Sequence, residues 1–390
     1  MIDLVTLSKE WITEKQKKHK RDPGIIESMV HALFLLEQLK HSGLDFIFKG
    51  GTSLILLLDK AARFSVDIDV VVSPELKQKS LEKYLDKIIA NSSGVFSEVL
   101  LDERRSYKGP VPKAHYRFRY KSAFVGKEKE GQIKQNIDRE ILLDVLFAEN
   151  PYPNLVQKPI YTEWIKLKGE PLVVTMPCLN SISGDKLVAF APNTTGVPYW
   201  RSSKNKEGED VLSEMFREIV KQLFDVGCLF DVIDDTAIFR ESYRISVASE
   251  IQYRADRNIK SPEEVLRDTI STALILARRD KQVNVIDKQN FTNLSTGLDQ
   301  FAHFVYGGNF KIEQAQLASA KAAYLAAIQL TGYAGSLVRF NEDLPLEEYL
   351  ITHPEYHFLN KQLKFVHRGE ALFYWSQTIK LLYPDSVLNK

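Results

Sequence analysis

Apolar residues recur at helical spacing through Ile26, Met29, Val30, Leu33, Leu36 and Leu39, which predicts a helix ended by Gly43. The period then changes. Phe46-Ile47-Phe48-Lys49 reads as a strand, Gly50-Gly51-Thr52-Ser53 as a turn opening a helix to Lys60, and Val66-Asp67-Ile68-Asp69-Val70-Val71-Val72 as a second strand. Ser73-Pro74 marks the start of a helix over 75–90, followed by a strand over 95–101. Strict alternation over 115–121 places His115, Arg117, Arg119 and Lys121 on one face and Tyr116, Phe118 and Tyr120 on the other. A polar hairpin loop at 126–132 leads to a long strand, Ile137 to Phe147, pairing back antiparallel. Leu172-Val173-Val174-Thr175 is a short last strand. Beyond it the pattern is helical, over 180–191, 208–234, 244–255, 261–279, 294–306, 312–331 and 359–382. Ahead of everything, 4–21 reads as a helix carrying Trp11, and Asp22-Pro23-Gly24 breaks the chain.

The class is therefore α+β: a mixed sheet with flanking helices in a first domain, 1–175, and a mostly α-helical second domain, 176–390. The chain's 390 residues can bury two cores. Lys+Arg 52 against Asp+Glu 51 gives a net charge of +1, so a nucleic-acid surface must come from local clustering. Two cysteines, Cys178 and Cys228, lack metal or redox spacing and fit a reducing cytoplasm. Met1-Ile2-Asp3-Leu4 does not resemble a signal peptide, and no apolar run reaches the ~18 residues of a membrane span.

Three features carry chemistry. Asp67 and Asp69 project from the same face of one strand, among β-branched residues, where two carboxylates call for a compensating cation. Hard oxygen ligands fit Mg²⁺. Gly50-Gly51 permits positive φ and close backbone approach, and Thr52 and Ser53 follow with hydroxyls that can cap the helix or meet a ligand. A glycine turn at a helix N-terminus is an anion site. Either piece alone is an ordinary turn or sheet edge; together they point to phosphoryl or nucleotidyl transfer. Asp144, alone in the apolar run Ile141-Leu142-Leu143-Asp144-Val145-Leu146-Phe147, needs a partner if buried, and Asp138 beside Arg139 and Glu140 competes with it less well.

Gly50-Gly51-Thr52-Ser53 followed by Asp67-Ile68-Asp69 resembles the first motif of the polymerase-β-type nucleotidyltransferase superfamily. With Lys49 ahead of the glycines and Arg63-Phe64-Ser65 ahead of the aspartates, the match narrows to the AbiEii (abortive infection) toxins of toxin–antitoxin and phage-defence pairs, over about residues 40–235. The resemblance implies a nucleotidyltransferase core and a helical domain completing an active-site cleft. It implies Asp67, Asp69 and Asp144 as ligands of two Mg²⁺ ions, Mn²⁺ being the alternative, and a nucleotide site of Lys49, Gly50, Gly51, Thr52, Ser53, Arg63 and Ser65, in which Gly50, Gly51 and Ser53 hold the β- and γ-phosphates with Lys49 or Lys186 assisting. It matches Lys186, in Ser183-Gly184-Asp185-Lys186, to a phosphate-binding and catalytic lysine. Lys221, Phe224 and Asp225 match a later segment in which Gln222 replaces the usual Asp, and which the resemblance adds to the nucleotide site through Lys221 and through Asp225 at the active-site edge. Lys186 also reads as a solvated first-turn lysine, and Lys221 with Asp225, four apart, as an ordinary surface ion pair.

The implied reaction attaches NMP from an NTP to an acceptor hydroxyl, most readily an RNA such as a tRNA 3′ end, with a cognate antitoxin as partner. Two alternatives stay open: modification of a protein side chain or small molecule, and a non-catalytic nucleotide- or partner-binding module. Arg104, Arg105, Lys108, Lys113, Arg117, Arg119 and Lys121, with interleaved aromatics, form either a solvated basic face or a track for phosphates. Lys15 to Arg21 reads as a solvated helix face or an RNA contact.

Overall fold

A computed structural model describes residues 1–59, 63–107, 111–125, 136–204, 208–306 and 308–384. Lys60, Lys108 and the loop expected at 126–132 lie outside the described residues. The chain divides into two compact units, Met1–Cys178 with His303–Gly307, and Leu179–Ala302 with Gly308–Lys390.

The first unit holds helices α1 (Lys9–His19), α2 (Pro23–Ser42), α3 (Gly50–Leu57) and α4 (Gln78–Asn91). Its strands are β1 (Ile47–Lys49), β2 (Ile68–Val72), β3 (Phe96–Leu101), β4 (Lys113–Val125), β5 (Asn136–Phe147), β6 (Leu155–Pro159) and β7 (Val173–Pro177). Five strands form one mixed sheet in the order β1-β2-β5-β4-β3. Only the β2–β5 pair is parallel. β6 and β7 pair separately; β6 falls among Pro151, Pro153 and Pro159, where the sequence pattern assigned no strand.

Asp22-Pro23-Gly24 starts α2 as well as breaking the chain. The Asp22 carboxylate accepts from the Ile25 N–H at 3.0 Å, Pro23 needs no donor in the first turn, and Gly43 closes the helix at φ +85°. Ser8 similarly caps α1, leaving Leu4–Leu7 as a short 3-10 turn. Ser73-Pro74 opens a turn, and α4 begins only at Gln78. Within the run expected to be solvated, Lys15 is buried and its ammonium donates to the Glu163 carbonyl.

α2 covers the sheet face carrying Ile68, Val70, Ile141, Leu143, Val145, Tyr116, Phe118 and Tyr120, all buried. Fully buried Glu27 ties the helix to β4: it accepts from Ser122 Oγ at 2.8 Å and the Ala123 N–H at 2.6 Å, with Arg139 at 3.4 Å. His31 stacks on Tyr120 at 3.9 Å. Burial holds its imidazole down at about 4. Because the folded value lies below the unfolded one, the unfolded chain binds the extra proton, and stability falls as pH drops from ~6.5 to ~4. The expected loss is about 3 kcal/mol. Denaturation curves across that range should be shallower in pH for His31→Phe; an unchanged slope would contradict the assignment.

The second unit begins with α5 (Leu179–Ala189) and the hairpin β8 (Trp200–Lys204) and β9 (Asp210–Glu214). There follow α6 (Phe216–Phe230), α7 (Thr236–Tyr253), α8 (Pro262–Arg278), α9 (Val285–Phe301), α10 (Ile312–Thr331), α11 (Phe358–Leu363) and α12 (Glu370–Leu382). Residues 210–214 thus pair in a hairpin rather than starting a helix. The helix expected over 359–382 is broken at His367, Arg368 and Gly369, all at positive φ. Alanine-rich α10 forms the core of the unit, packing on α6, α8 and α12. Its small residues allow close approach: a methyl on Gly227 of α6 would come within 2.8 Å of the Ala318 methyl. Among the described residues, no helix is long and apolar enough to cross a membrane.

Candidate active site

The sheet builds a row. Lys49 is the register partner of Asp69, Asp69 of Asp144, and Asp144 of His115. Register partners share a sheet face, and this face is opposite the one α2 covers. Neighbouring strands lie about 4.8 Å apart, so Asp69 and Asp144 can address one cation. Asp67 immediately precedes β2 and so lies just outside the strand on which both aspartates were expected. Asp138 lies farther along β5 opposite Lys121, which leaves it out of the row.

Gly50 sits against this row. Its φ is +78°, and a Cβ there would lie 2.0 Å from Asp69 Oδ2. The next glycine is equally confined: a Cβ on Gly51 would lie 2.4 Å from Arg63 Nη2 and 3.0 Å from Ser65 Oγ. So the motif's glycine pair, Arg63, Ser65 and Asp69 are packed into one another. The hydroxyls turn to the backbone: Thr52 Oγ1 donates to the Asp67 carbonyl at 2.5 Å and Ser53 Oγ to that of Gly50 at 2.7 Å. Both residues are fully buried. Neither caps α3, whose N-terminus carries no side-chain cap. What this turn can offer an anion is therefore its backbone N–H groups.

The sequence reading missed the far end of the row. His115 is buried, and its Nδ1 lies 2.5 Å from Asp144 Oδ1. Alternation gave the right face for His115; what it could not give was the partner, which depends on β4–β5 register. The same register resolves the basic face into a cross-strand ladder. Arg117 meets Glu140 at 3.4 Å, while Arg119 meets Glu98 and, at 3.4 Å, Glu140. Acidic partners thus offset two members of the supposed phosphate track.

Oxygen donors of this kind suit a hard divalent cation, and the crowding at Gly50 keeps Asp69 in the row. Among the described residues, however, no three His, Cys, Asp or Glu side chains form a ready-made metal-binding group. A cavity of 620 Å³ at the far end of α3, lined by Ile55, Leu57, Lys158, Tyr161, Trp164 and Tyr306, includes none of Asp67, Asp69 and Asp144.

In the second unit, Lys186 on α5 meets Asp225 on α6 at 2.9 Å, and its ammonium donates to Gln222 Oε1 at 3.4 Å. Lys186 is neither solvated nor a first-turn residue; it lies in the last turn of its helix. Asp225 is 1 % exposed, so it is no surface partner. Lys221 reaches Glu218 at 3.4 Å. Gln222, at the position where Asp was expected, faces the lysine that a carboxylate would have held. A buried pair of this sort requires good geometry to offset desolvation.

No curated protein matches the chain. The model of one family, described as "Nucleotidyl transferase AbiEii toxin, Type IV TA system", matches residues 34–303, well past the 235 at which the recognisable motifs end. With its glycine turn and aspartate row inside that match, which covers more than half of its length, this chain belongs to the AbiEii nucleotidyltransferase toxin family.

Proposed function

We propose that the chain is a metal-dependent nucleotidyltransferase that joins NMP from an NTP to a hydroxyl of RNA, with a tRNA 3′ end as acceptor. It would act in the cytoplasm as a toxin held in check by a cognate antitoxin. The observation that carries this reading is the register pairing of Asp69 with Asp144 beside the positive-φ turn at Gly50.

Asp67, Asp69 and Asp144 would hold Mg²⁺, or Mn²⁺ in its place. When bound, such ions favour ionisation of the acceptor hydroxyl and neutralise triphosphate charge. The backbone N–H groups of Gly50 and Gly51 bind β- and γ-phosphate oxygens, and Lys49, register partner of Asp69, adds positive charge at the same edge. In the second unit, Lys186 paired with Asp225 is a cation of the kind that stabilises phosphate charge growing in a transition state. The acceptor oxygen attacks the α-phosphorus, the bond to the bridging oxygen breaks, and pyrophosphate leaves carrying the charge.

Incubation with each labelled NTP and with RNA, protein and metabolite fractions tests the reading. Label should enter RNA, disappear when the divalent metal is chelated, and map to tRNA 3′ ends on sequencing. Label confined to protein would overturn the RNA acceptor. No transfer to any fraction, with Asp67→Ala no different, would leave only a binding module.

A further inference from the structure

The edge of the row formed by His115 has the features of a device that sets the third carboxylate. His115 is 5 % exposed, whereas the Asp144 side chain is 32 % exposed, so one end of the contact is fixed in protein and the other opens outward. Its backbone is held as well. The His115 N–H donates to Ser106 Oγ at 2.8 Å, and its carbonyl accepts from the Asp102 N–H at 2.8 Å. A carboxylate accepts, so the ring's Nδ1–H donates to Asp144 Oδ1 across 2.5 Å. The other buried histidine of the sheet layer, His31, turns its Nδ1 to a backbone carbonyl of its own helix, that of Glu27. Of these two histidines, it is His115 that makes a cross-strand contact to a carboxylate in the row.

We propose that His115 is a positioning residue for Asp144. By occupying Oδ1 it fixes the carboxylate's rotation and leaves the remaining oxygen for a divalent cation shared with Asp69. Carboxylates that bind metal are themselves commonly held by hydrogen bonds, and loss of such a partner typically weakens the metal ~10–100-fold. This inference rests on the carboxylate-site reading above and extends it to a buried residue hydrogen-bonded to Asp144.

The test is Mn²⁺ binding to the full chain, followed by the EPR signal of the free ion, with no nucleotide or RNA present. Asparagine places an amide nitrogen where the histidine has Nδ1; glutamine places it where Nε2 stands. His115→Asn should bind Mn²⁺ nearly as wild type does, and His115→Gln should bind it ~10–100-fold more weakly. Melting curves without metal establish that both variants fold, with His115→Leu replacing Gln if that variant does not. A histidine with a merely structural role would leave Mn²⁺ affinity unmoved in the folded variants. Equal affinities for Asn and for the Gln or Leu variant, or a Gln variant as tight as wild type, would overturn the proposal. Asp144→Asn distinguishes the deeper failure: if it too binds Mn²⁺ like wild type, or if wild type binds none, the site reading falls and takes the positioning role with it.

Discussion

Asp69→Asn is expected to lower NMP transfer on the order of a thousandfold or more while the protein melts within a few degrees of wild type. The substitution keeps shape and volume and removes one negative charge from the centre of the row, between Lys49 and Asp144. Charge at that point is what the transfer chemistry asks for, whereas the fold is anchored on the opposite face by Ile68, Val70, Leu143 and Val145. Label transfer and a melting curve on the same preparation decide the matter. Retained transfer in a folded Asp69→Asn protein would remove the carboxylate site from the mechanism.

Gly50→Ala should lose about a hundredfold in transfer, although it changes neither a carboxylate nor the backbone N–H at that position. Two effects combine. A side chain at φ +78° adds about 1–2 kcal/mol of strain. The new methyl would also lie 2.0 Å from Asp69 Oδ2 and 2.6 Å from its Cγ, so the carboxylate must move. Gly43 separates the two. It sits at φ +85° with no atom within 4 Å of an added Cβ, so Gly43→Ala should destabilise to a similar extent and leave transfer intact. Equal losses of transfer in both variants would mean that backbone strain, and not displacement of Asp69, is responsible.

Much of this site was legible because it is local. From Phe46 to Val72 the period switches from strand to helix and back, with glycines at the switch, and Asp144 stands out as a lone charge in an apolar strand. The second unit's pairing of Lys186 with Asp225 was legible only as two separate residues, since the burial of Asp225 depends on how α5 and α6 pack. Register was the main thing hidden. Whether His115 faces Asp144 or Asp138 depends on pairing between distant stretches, and alternation is identical in both cases. The β8–β9 hairpin was hidden for a different reason: Asp210-Val211-Leu212-Ser213-Glu214 has no strict alternation and runs into a strongly amphipathic helix, so periodicity assigned it to that helix. The break before α12 was missed because His367 and Arg368 adopt a left-handed conformation that glycine usually signals.

The single parallel pairing in the main sheet has a consequence for synthesis. Parallel neighbours need a long crossover, and here β3 and β4 are made between β2 and β5. A ribosome that has emitted the glycine turn and both early aspartates has made β1 and β2 but not β5, the strand that carries Asp144, register partner of Asp69. Prematurely terminated products that end before β5 therefore carry Asp67 and Asp69 without Asp144, and under the proposed mechanism transfer is expected only of chains elongated past Phe147.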